Sequence, residues 1–154
     1  MPDWWVKRVF TGGVLKRIEV AIAESEKQHR GELRFAVEGG FDPRALLKRI
    51  TPRERAIEVF SQLRVWDTVE NSGVLLYVQL IDRDIEIVAD RGISARVSQN
   101  EWNAICTRME TAFREGRFEA GALTGIGEVT ALLVRHFPAR AADTNELPDE
   151  PVVL

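Results

Sequence analysis

Acidic side chains gather at both ends of an apolar stretch that covers residues 71–93. The stretch predicts two strands, at residues 73–81 and 84–89, joined by the tight turn Asp82-Arg83-Asp84. Carboxylate oxygens are the ligands that calcium and magnesium prefer in proteins. Loops on a rigid sheet are also where binding residues concentrate. The two rims of this hairpin are therefore the places where the chain could bind a cation or a polar ligand.

One rim combines the ends of two predicted parallel strands with the hairpin turn. It carries Glu38, Asp42, Asp82 and Asp84. Ligands of open α/β sheets usually bind at the carboxyl ends of parallel strands, which favours this rim. Aspartate is also favoured in tight turns because its side chain hydrogen-bonds the local backbone. For Asp82 and Asp84, turn formation is therefore the preferred interpretation.

The opposite rim is the predicted metal site. It is formed by the loop before the second strand and the loop after the third strand. Its predicted metal ligands are Asp67, Glu70 and Asp90, and the predicted further contacts are Trp66, Asn71 and Arg91. Three carboxylates on loops suit Ca²⁺ or Mg²⁺. An alternative stays open, in which the aspartates at element ends pair with neighbouring arginines and the tryptophan belongs to the core.

Apolar periodicity and capping signals predict the elements that position these rims. Residues 32–38 alternate between polar and apolar, which is typical of a half-buried strand. Capping boxes at Thr51 and Ser98 predict two helix starts. Residues 74–81 are apolar almost throughout, as in a central strand covered on both faces. The order α-β-α-β-β-α-α predicts a three-layer α/β/α sandwich with a small mixed sheet, built from a parallel β-α-β unit and an antiparallel hairpin.

Length and composition indicate a single soluble domain. The chain has 154 residues, a net charge of -3 and one cysteine, Cys106. An acidic chain lacks the basic face that phosphate backbones require, so nucleic acid is not an expected partner. A single cysteine excludes an intramolecular disulfide, and its apolar neighbours at helical spacing predict a buried thiol. Residues 1–138 are predicted to form the domain, and residues 139–154 a flexible C-terminal tail.

Residues 1–12 form a short amphipathic segment. Trp4 and Trp5 stand beside Lys7 and Arg8, a combination that is favoured at membrane interfaces. The segment has no secretory signal pattern, and the chain has no apolar run long enough to span a bilayer. The expected location is therefore cytoplasmic, with peripheral contact to the inner membrane through the two tryptophans as one hypothesis. Packing on the domain or dimerisation is the alternative use of this segment.

Three segments carry a family resemblance: FSQLRVWDT at residues 60–68, NSGVL at 71–75 and IVADRGI at 87–93. Here, and over most of the chain up to Pro138, the sequence resembles the TPM domain family, in particular a proteobacterial subgroup of uncharacterised proteins. The resemblance implies a small α/β/α sandwich, in agreement with the element order. It also implies a divalent cation held by acidic loops, as in some members. An acid phosphatase activity has been proposed for plant members, which are thylakoid-lumen proteins linked to photosystem repair.

The resemblance, without a complete catalytic constellation, favours a non-catalytic TPM-type interaction module. In this hypothesis the module binds a protein partner at a membrane or at the cell envelope, and a divalent cation occupies its acidic loop rim. Two alternatives stay open. One is a metal-dependent acid phosphatase-like hydrolase that acts on phosphomonoesters through the rim of Asp67, Glu70 and Asp90. The other is a metal-free structural domain.

Overall fold

The computed structural model describes residues 3–40, 49–141 and 144–154. In chain order its elements are α1 Asp3–Val9, α2 Gly12–Glu26, β1 Glu32–Glu38, α3 Pro52–Gln62, β2 Gly73–Gln79, β3 Asp84–Ala89, α4 Arg91–Ser94, α5 Gln99–Arg114, α6 Phe118–His136 and β4 Val152–Val153. The predicted order of helices and strands is present. The short helices α1 and α4 and the strand β4 add to it.

The four strands form one mixed sheet in the order β3-β2-β1-β4. β1 and β2 are parallel, and Glu32 pairs with Gly73 at the start of their register. β2 and β3 form the predicted antiparallel hairpin. Every residue of β2 is buried, because this strand is central in the sheet and has neighbours on both faces. The prediction of a small mixed sheet with a parallel unit and a hairpin is confirmed.

Each face of the sheet has its own apolar core. On one face, Phe35 and Leu76 belong to a large core shared with α1, α2, α5 and α6. On the other face, Leu75 and Tyr77 pack in a smaller core with Val59 of α3. Neighbouring residues of a strand point to opposite faces, so the all-apolar β2 supplies both cores. The three-layer α/β/α architecture is thereby confirmed.

Two capping boxes begin α3 and α5, as the sequence predicted. The Thr51 hydroxyl accepts from the backbone N–H of Glu54 at 3.1 Å, and the Glu54 carboxylate accepts from the N–H of Thr51 at 2.8 Å. Ser98 and Glu101 form the same reciprocal pair. Each box satisfies amide groups that a helix start otherwise leaves without partners.

The polar side of β1 differs from the prediction of a solvent-facing side. Glu32 is 3 % exposed and Arg34 is 7 % exposed. The reason is that residues 144–154, here called the C-terminal strap, cross this edge of the sheet. The Arg34 guanidinium donates to the carbonyl oxygens of Pro148 and Glu150 at 2.7 and 3.1 Å. The polar residues of β1 therefore face the strap.

The strap ends in the edge strand β4. The sequence predicted a flexible tail for residues 139–154, whereas the structure pairs Val152 and Val153 with Ala36 and Val37 of β1. Leu147 of the strap is buried in the smaller core. The strap is therefore fixed by two kinds of contact. Its apolar side chain packs in the core, and its backbone pairs with an open sheet edge.

The amphipathic N-terminal segment folds as α1 and packs against the larger core. Val6 and Phe10 are fully or almost fully buried, and Trp5 packs at the edge of the same core. The Arg83 guanidinium lies 6.0 Å from the Trp5 ring. Trp4, by contrast, is 59 % exposed. No helix within residues 3–40, 49–141 and 144–154 has the length and apolar character needed to cross a membrane.

Candidate functional site

The predicted metal rim is built from the loop between α3 and β2 and from the residues after β3. Arg64 and Asn71 adopt left-handed backbone angles, with φ of 54° and 51°, and so turn the loop at both ends. The backbone N–H of Gly92 donates to the Asn71 carbonyl at 2.9 Å. The Asp90 N–H donates to the Gly73 carbonyl at the same distance. The end of the loop therefore lies directly against the start of α4.

Two glycines make this close approach possible. A Cβ on Gly92 would lie 2.3 Å from the Glu70 carbonyl oxygen, and a Cβ on Gly73 would lie 2.0 Å from the Val65 carbonyl oxygen. Both distances are far inside van der Waals contact, so the backbone would have to separate around any larger residue. The loop is consequently held in one conformation by its own packing.

The three predicted metal ligands have other partners. Asp67 pairs with Arg64 at 3.1 Å. Glu70 pairs with Arg140 at 3.2 Å, and the Arg30 guanidinium lies 3.7 Å from the same oxygen. The Asp67–Arg64 pair agrees with the alternative that the sequence left open, in which aspartates at element ends pair with neighbouring arginines. Arg30 and Arg140, by contrast, are distant in sequence from Glu70.

Asp90 serves as the N-cap of α4. One of its carboxylate oxygens accepts from the backbone N–H of Arg91 at 2.7 Å. The other oxygen is buried and has no partner among the described residues. Such a cap satisfies one of the free amide groups at a helix start. The carboxylate is therefore explained in part by local structure.

The described residues do not fit the divalent cation that the family resemblance implies. No group of three or more His, Cys, Asp or Glu side chains that could hold a metal ion is present in the described ranges. The charges of Asp67 and Glu70 are already balanced by arginines. Asp90 uses one oxygen as a helix cap, and calcium takes six to eight oxygen ligands.

Trp66 lies at the surface and is not part of the core. Its side chain is 46 % exposed, and the Arg64 guanidinium stacks 5.2 Å from its ring. Val69, on the same loop, is 88 % exposed and was missed by sequence reasoning. Its signal was an apolar residue between the polar residues Thr68 and Glu70. Asn71 contributes its backbone to the rim, and the Arg91 side chain is exposed.

The other rim is occupied by structural contacts. Glu38 accepts from Arg55 through two hydrogen bonds of 2.8 and 3.0 Å and from the Tyr77 hydroxyl at 2.6 Å. Burial and the neighbouring Glu38 carboxylate raise the pKa of Tyr77. This network ties α3 to the sheet, so Glu38 is not available as a ligand.

The hairpin between β2 and β3 closes in a tight turn, and the interpretation of Asp82 and Asp84 as turn residues stays a prediction. Arg83 has a left-handed φ of 56°, and its N–H donates to the Leu80 carbonyl at 3.2 Å. Burial, with the nearby Asp82 charge, raises the pKa of Asp84. Asp42, the fourth acidic residue assigned to this rim, lies outside the described residues.

The side chains of Ser25, His29 and Cys106 are buried. Ser25 and His29 form a hydrogen bond of 2.8 Å that sequence reasoning missed, although their spacing of four residues was a signal for it. They are 3 % and 1 % exposed. Burial lowers the pKa of His29 to about 4 and raises that of Cys106 to about 12. None of these groups meets solvent in a cleft where a substrate could react.

The comparisons with known proteins agree with the fold. The TPM domain model matches residues 7–132, so the chain belongs to the TPM domain family. The NMR structure of the BA42 protein from the psychrophilic bacterium Bizionia argentinensis is similar, with 30% sequence identity, a TM-score of 0.82 and 94% of each chain covered. The solution NMR structure of the N-terminal domain of a P. gingivalis protein has 16% identity and a TM-score of 0.67. It covers 84% of this chain and 82% of that chain, and it shows the fold alone. No curated protein matches the chain.

Proposed function

We propose that this chain is a non-catalytic interaction module that binds a protein partner through Trp66 and Val69. The supporting observation is the exposure of both side chains, 46 % and 88 %, on one short loop. Tryptophan is enriched among the residues that dominate binding energy at protein interfaces. An apolar pair surrounded by charged residues such as Arg64 and Asp67 has the composition of an interface centre with a polar rim.

The loop that carries this pair is already ordered in the free protein. The backbone N–H of Val69 donates to the Glu146 carboxylate of the C-terminal strap at 2.9 Å. The Trp66 indole N–H donates to the Ser61 carbonyl at 3.4 Å. Side chains presented on a fixed backbone lose less conformational freedom on binding, which favours affinity. The loop therefore suits recognition without a large rearrangement.

A photo-crosslinking residue in place of Val69 tests the proposal in cells. We expect it to label a distinct protein, and we expect Trp66→Ala in the same chain to abolish that label. The matched control carries the probe at Ile57, which is 48 % exposed on α3. Purified partner should then bind the parent chain at least about tenfold more tightly than Trp66→Ala, since such anchors contribute 2 kcal/mol or more. Equal labelling from both positions, or unchanged affinity, would contradict the proposal.

The hydrolase alternative would require a metal site at the rim of Asp67, Glu70 and Asp90. A phosphatase of this kind needs a metal to balance the phosphate charge, and the described carboxylates do not form such a site. We expect no hydrolysis of a generic phosphomonoester with either Mg²⁺ or Ca²⁺, and no change in thermal stability when these ions are added. Metal-dependent hydrolysis that Asp90→Asn abolished would overturn the non-catalytic reading.

A second candidate is peripheral membrane contact through α1, with the protein partner located at that membrane. It is favoured by one observation: Trp4 is 59 % exposed, with Lys7 and Arg8 also exposed on the same helix. Trp5 packs on the core and would contribute less. We expect co-sedimentation with anionic vesicles that Trp4→Ala weakens and that added salt reduces. Binding that Trp4→Ala and Trp66→Ala weaken equally would argue against a specific contact through α1.

A further inference from the structure

The polar contacts that hold the C-terminal strap are directed at its backbone. The Arg34 guanidinium donates to the carbonyl oxygens of Pro148 and Glu150 at 2.7 and 3.1 Å. The Glu32 carboxyl accepts from the Glu146 N–H at 2.7 Å. Both of these β1 side chains are buried. β1 therefore offers a buried donor and a buried acceptor that suit the backbone of an extended peptide, largely regardless of its side chains.

The strap pairs with a small part of the edge of β1. This strand runs over seven residues, Glu32–Glu38, and β4 pairs with Ala36 and Val37. Nearer the start of β1, the Leu33 N–H donates to the side chain of Glu26 at 2.8 Å. A strand of ordinary length, about five to six residues, could form a longer ladder on this edge than β4 does. Strand addition of this kind is a common mode of peptide recognition.

Three carboxyl groups meet under the strap, and they are here called the carboxyl cluster: Glu26 of α2, Glu32 of β1 and Asp149 of the strap. The Glu26 carboxyl is hydrogen-bonded to the carboxyls of Asp149 and Glu32. Two carboxyl groups share a hydrogen bond when one of them is protonated. Burial, the hydrogen bond to Asp149 and the charge of Glu32 raise the pKa of Glu26 to about 10. At pH 7 a proton on Glu26 therefore links the strap to the domain.

Charged side chains from each neighbouring segment face the carboxyl cluster. They are Lys27 and Arg30 at the end of α2, Arg34 of β1, Arg140 after α6, and Glu146 and Glu150 of the strap. His29 is neutral at pH 7, because burial lowers its pKa to about 4. Lys27 pairs with Glu24 at the surface. Arg34 attracts the cluster by its charge, and the pKa of Glu26 is raised nevertheless. The surrounding cations therefore do not replace the shared proton.

The strap itself shows what kind of peptide this edge accepts. Leu147 is buried in the smaller core, and Val152 and Leu154 pack against that core. We propose that the edge of β1 beneath the strap is a strand-addition site for an extended segment of a partner protein, and that the strap is its built-in competitor. The partner segment carries an apolar anchor in the place of Leu147 and a β-branched pair in the place of Val152 and Val153. The carboxyl cluster holds the competitor in place.

Release of the strap should become easier as pH rises. Release exposes Glu26 to solvent, where its pKa returns from about 10 toward 4.5. Between these two values the open state therefore binds fewer protons than the closed state. By linkage, the ratio of open to closed strap rises by up to about tenfold for each pH unit in this interval. Below pH 4.5 both states hold the proton, and the ratio does not change.

Amide hydrogen exchange of the full chain measures release of the strap. The probes are the N–H of Glu146, which donates to Glu32, and the N–H of Leu154, which donates to the Val37 carbonyl at 2.9 Å. Each rate is divided by the intrinsic rate at the same pH, and Leu76 of the central strand reports global unfolding. We expect both strap amides to exchange through a smaller opening than Leu76. Their opening constants should rise at least about tenfold between pH 6 and pH 8. Opening constants equal to that of Leu76, or independent of pH, would overturn the proposal.

Glu26→Gln tests the part played by the shared proton. The glutamine amide can donate to Asp149 at every pH and has no proton to lose, so release of the strap should lose most of its pH dependence. Glu24→Gln is the matched control, because Glu24 lies on α2 with its side chain 61% exposed, and it should keep the pH dependence of the parent. A pH dependence that Glu26→Gln leaves unchanged would overturn the role of the carboxyl cluster.

A fluorescent synthetic peptide of residues 144–154 tests whether the edge accepts a segment from another molecule. In the full chain with Leu147→Asp, the strap lacks its apolar anchor, and we expect saturable binding of the peptide. The parent chain should bind it at least about tenfold more weakly, because its own strap competes at high effective concentration. The same peptide with Leu147→Asp is the matched control and should not bind. No saturable binding to a folded Leu147→Asp chain would overturn the proposal; if this variant does not fold, hydrogen exchange of the parent decides.

The oligomeric state distinguishes a second occupant of the same edge. A concentration-dependent dimer of the parent at pH 8 that excess peptide dissolves would assign the edge to the strap of a second copy and overturn a separate partner. The proposal does not rest on the Trp66 and Val69 surface, although the Val69 N–H donates to Glu146 of the strap. Trp66→Ala should leave strap exchange and peptide binding unchanged. Failure of one proposal therefore leaves the other intact.

Discussion

Replacing Glu26 by glutamine should stabilise the protein in a manner that depends on pH. In the parent chain, burial and the carboxyls of Asp149 and Glu32 raise the pKa of Glu26 from 4.5 to about 10. Glutamine has nearly the shape of the neutral acid. It keeps the oxygen that accepts from Leu33 at 2.8 Å, and it has no proton to lose. The substitution therefore removes the titration and retains the packing.

The direction of this pH dependence follows from the raised pKa of Glu26. Folding favours the protonated form, so the contribution of Glu26 to stability is fully present below pH 4.5 and is lost progressively as pH rises toward 10. Between pH 4.5 and pH 7 the loss corresponds to 2.5 pH units at about 1.36 kcal/mol each. The parent should consequently lose about 3 kcal/mol relative to Glu26→Gln over this interval. For a chain of this size, that is a difference in Tm of the order of 5–10 °C.

Urea unfolding at pH 5 and pH 7.5, followed by tryptophan fluorescence, measures the difference directly. We expect the two chains to have similar stability at the lower pH and Glu26→Gln to be clearly more stable at the higher. Glu24→Gln, with its exposed side chain, should show no such change. A difference between parent and Glu26→Gln that stays constant across this range would refute the assignment of a buried, protonated Glu26.

Gly92→Ala should destabilise the fold by about 2 kcal/mol or more, since its Cβ would lie 2.3 Å from the Glu70 carbonyl oxygen. Gly127→Ala on α6 has nothing within 4 Å of its Cβ and should stabilise by about 0.8 kcal/mol; urea unfolding of the pair checks both signs. Ser98→Ala removes the capping box of α5 and should cost about 1 kcal/mol in thermal unfolding. Burial raises the pKa of Cys106 to about 12, so an aromatic disulfide reagent should label it only after unfolding. Rapid labelling of the folded chain would contradict this burial.

The features of the fold that sequence could predict are those that depend on local pattern. The capping boxes at Thr51 and Ser98 need only residues three positions apart. The central position of β2 follows from an apolar run, which can be buried only with cover on both faces. Strand β4 has no such signal. It contains two residues, Val152 and Val153, and its order depends on an open edge of β1 that the tail sequence does not reveal.

The metal rim shows why site prediction was less successful than fold prediction. The sequence correctly placed Asp90 and Asn71 at one end of the sheet, because strand ends and loops follow from the element order. It did not give the side-chain partners. Arg30 and Arg140 are distant in sequence from Glu70, and they meet it only because the residues after α6 return past the start of β1. Charge pairs between residues distant in sequence produce no periodic pattern from which they could be predicted.

The burial of the polar side of β1 could not be predicted from the sequence of the strand. A period of two decides which residues share a face of a strand, but it does not decide whether water or another segment covers that face. Here the strap covers Glu32, and the Glu26 carboxyl is hydrogen-bonded beside it. Natural sequences are otherwise consistent from local pattern to core packing, and the positions that break this consistency tend to be functional. Glu26 and Glu32, whose carboxyl pKa values are raised by burial, are such a break.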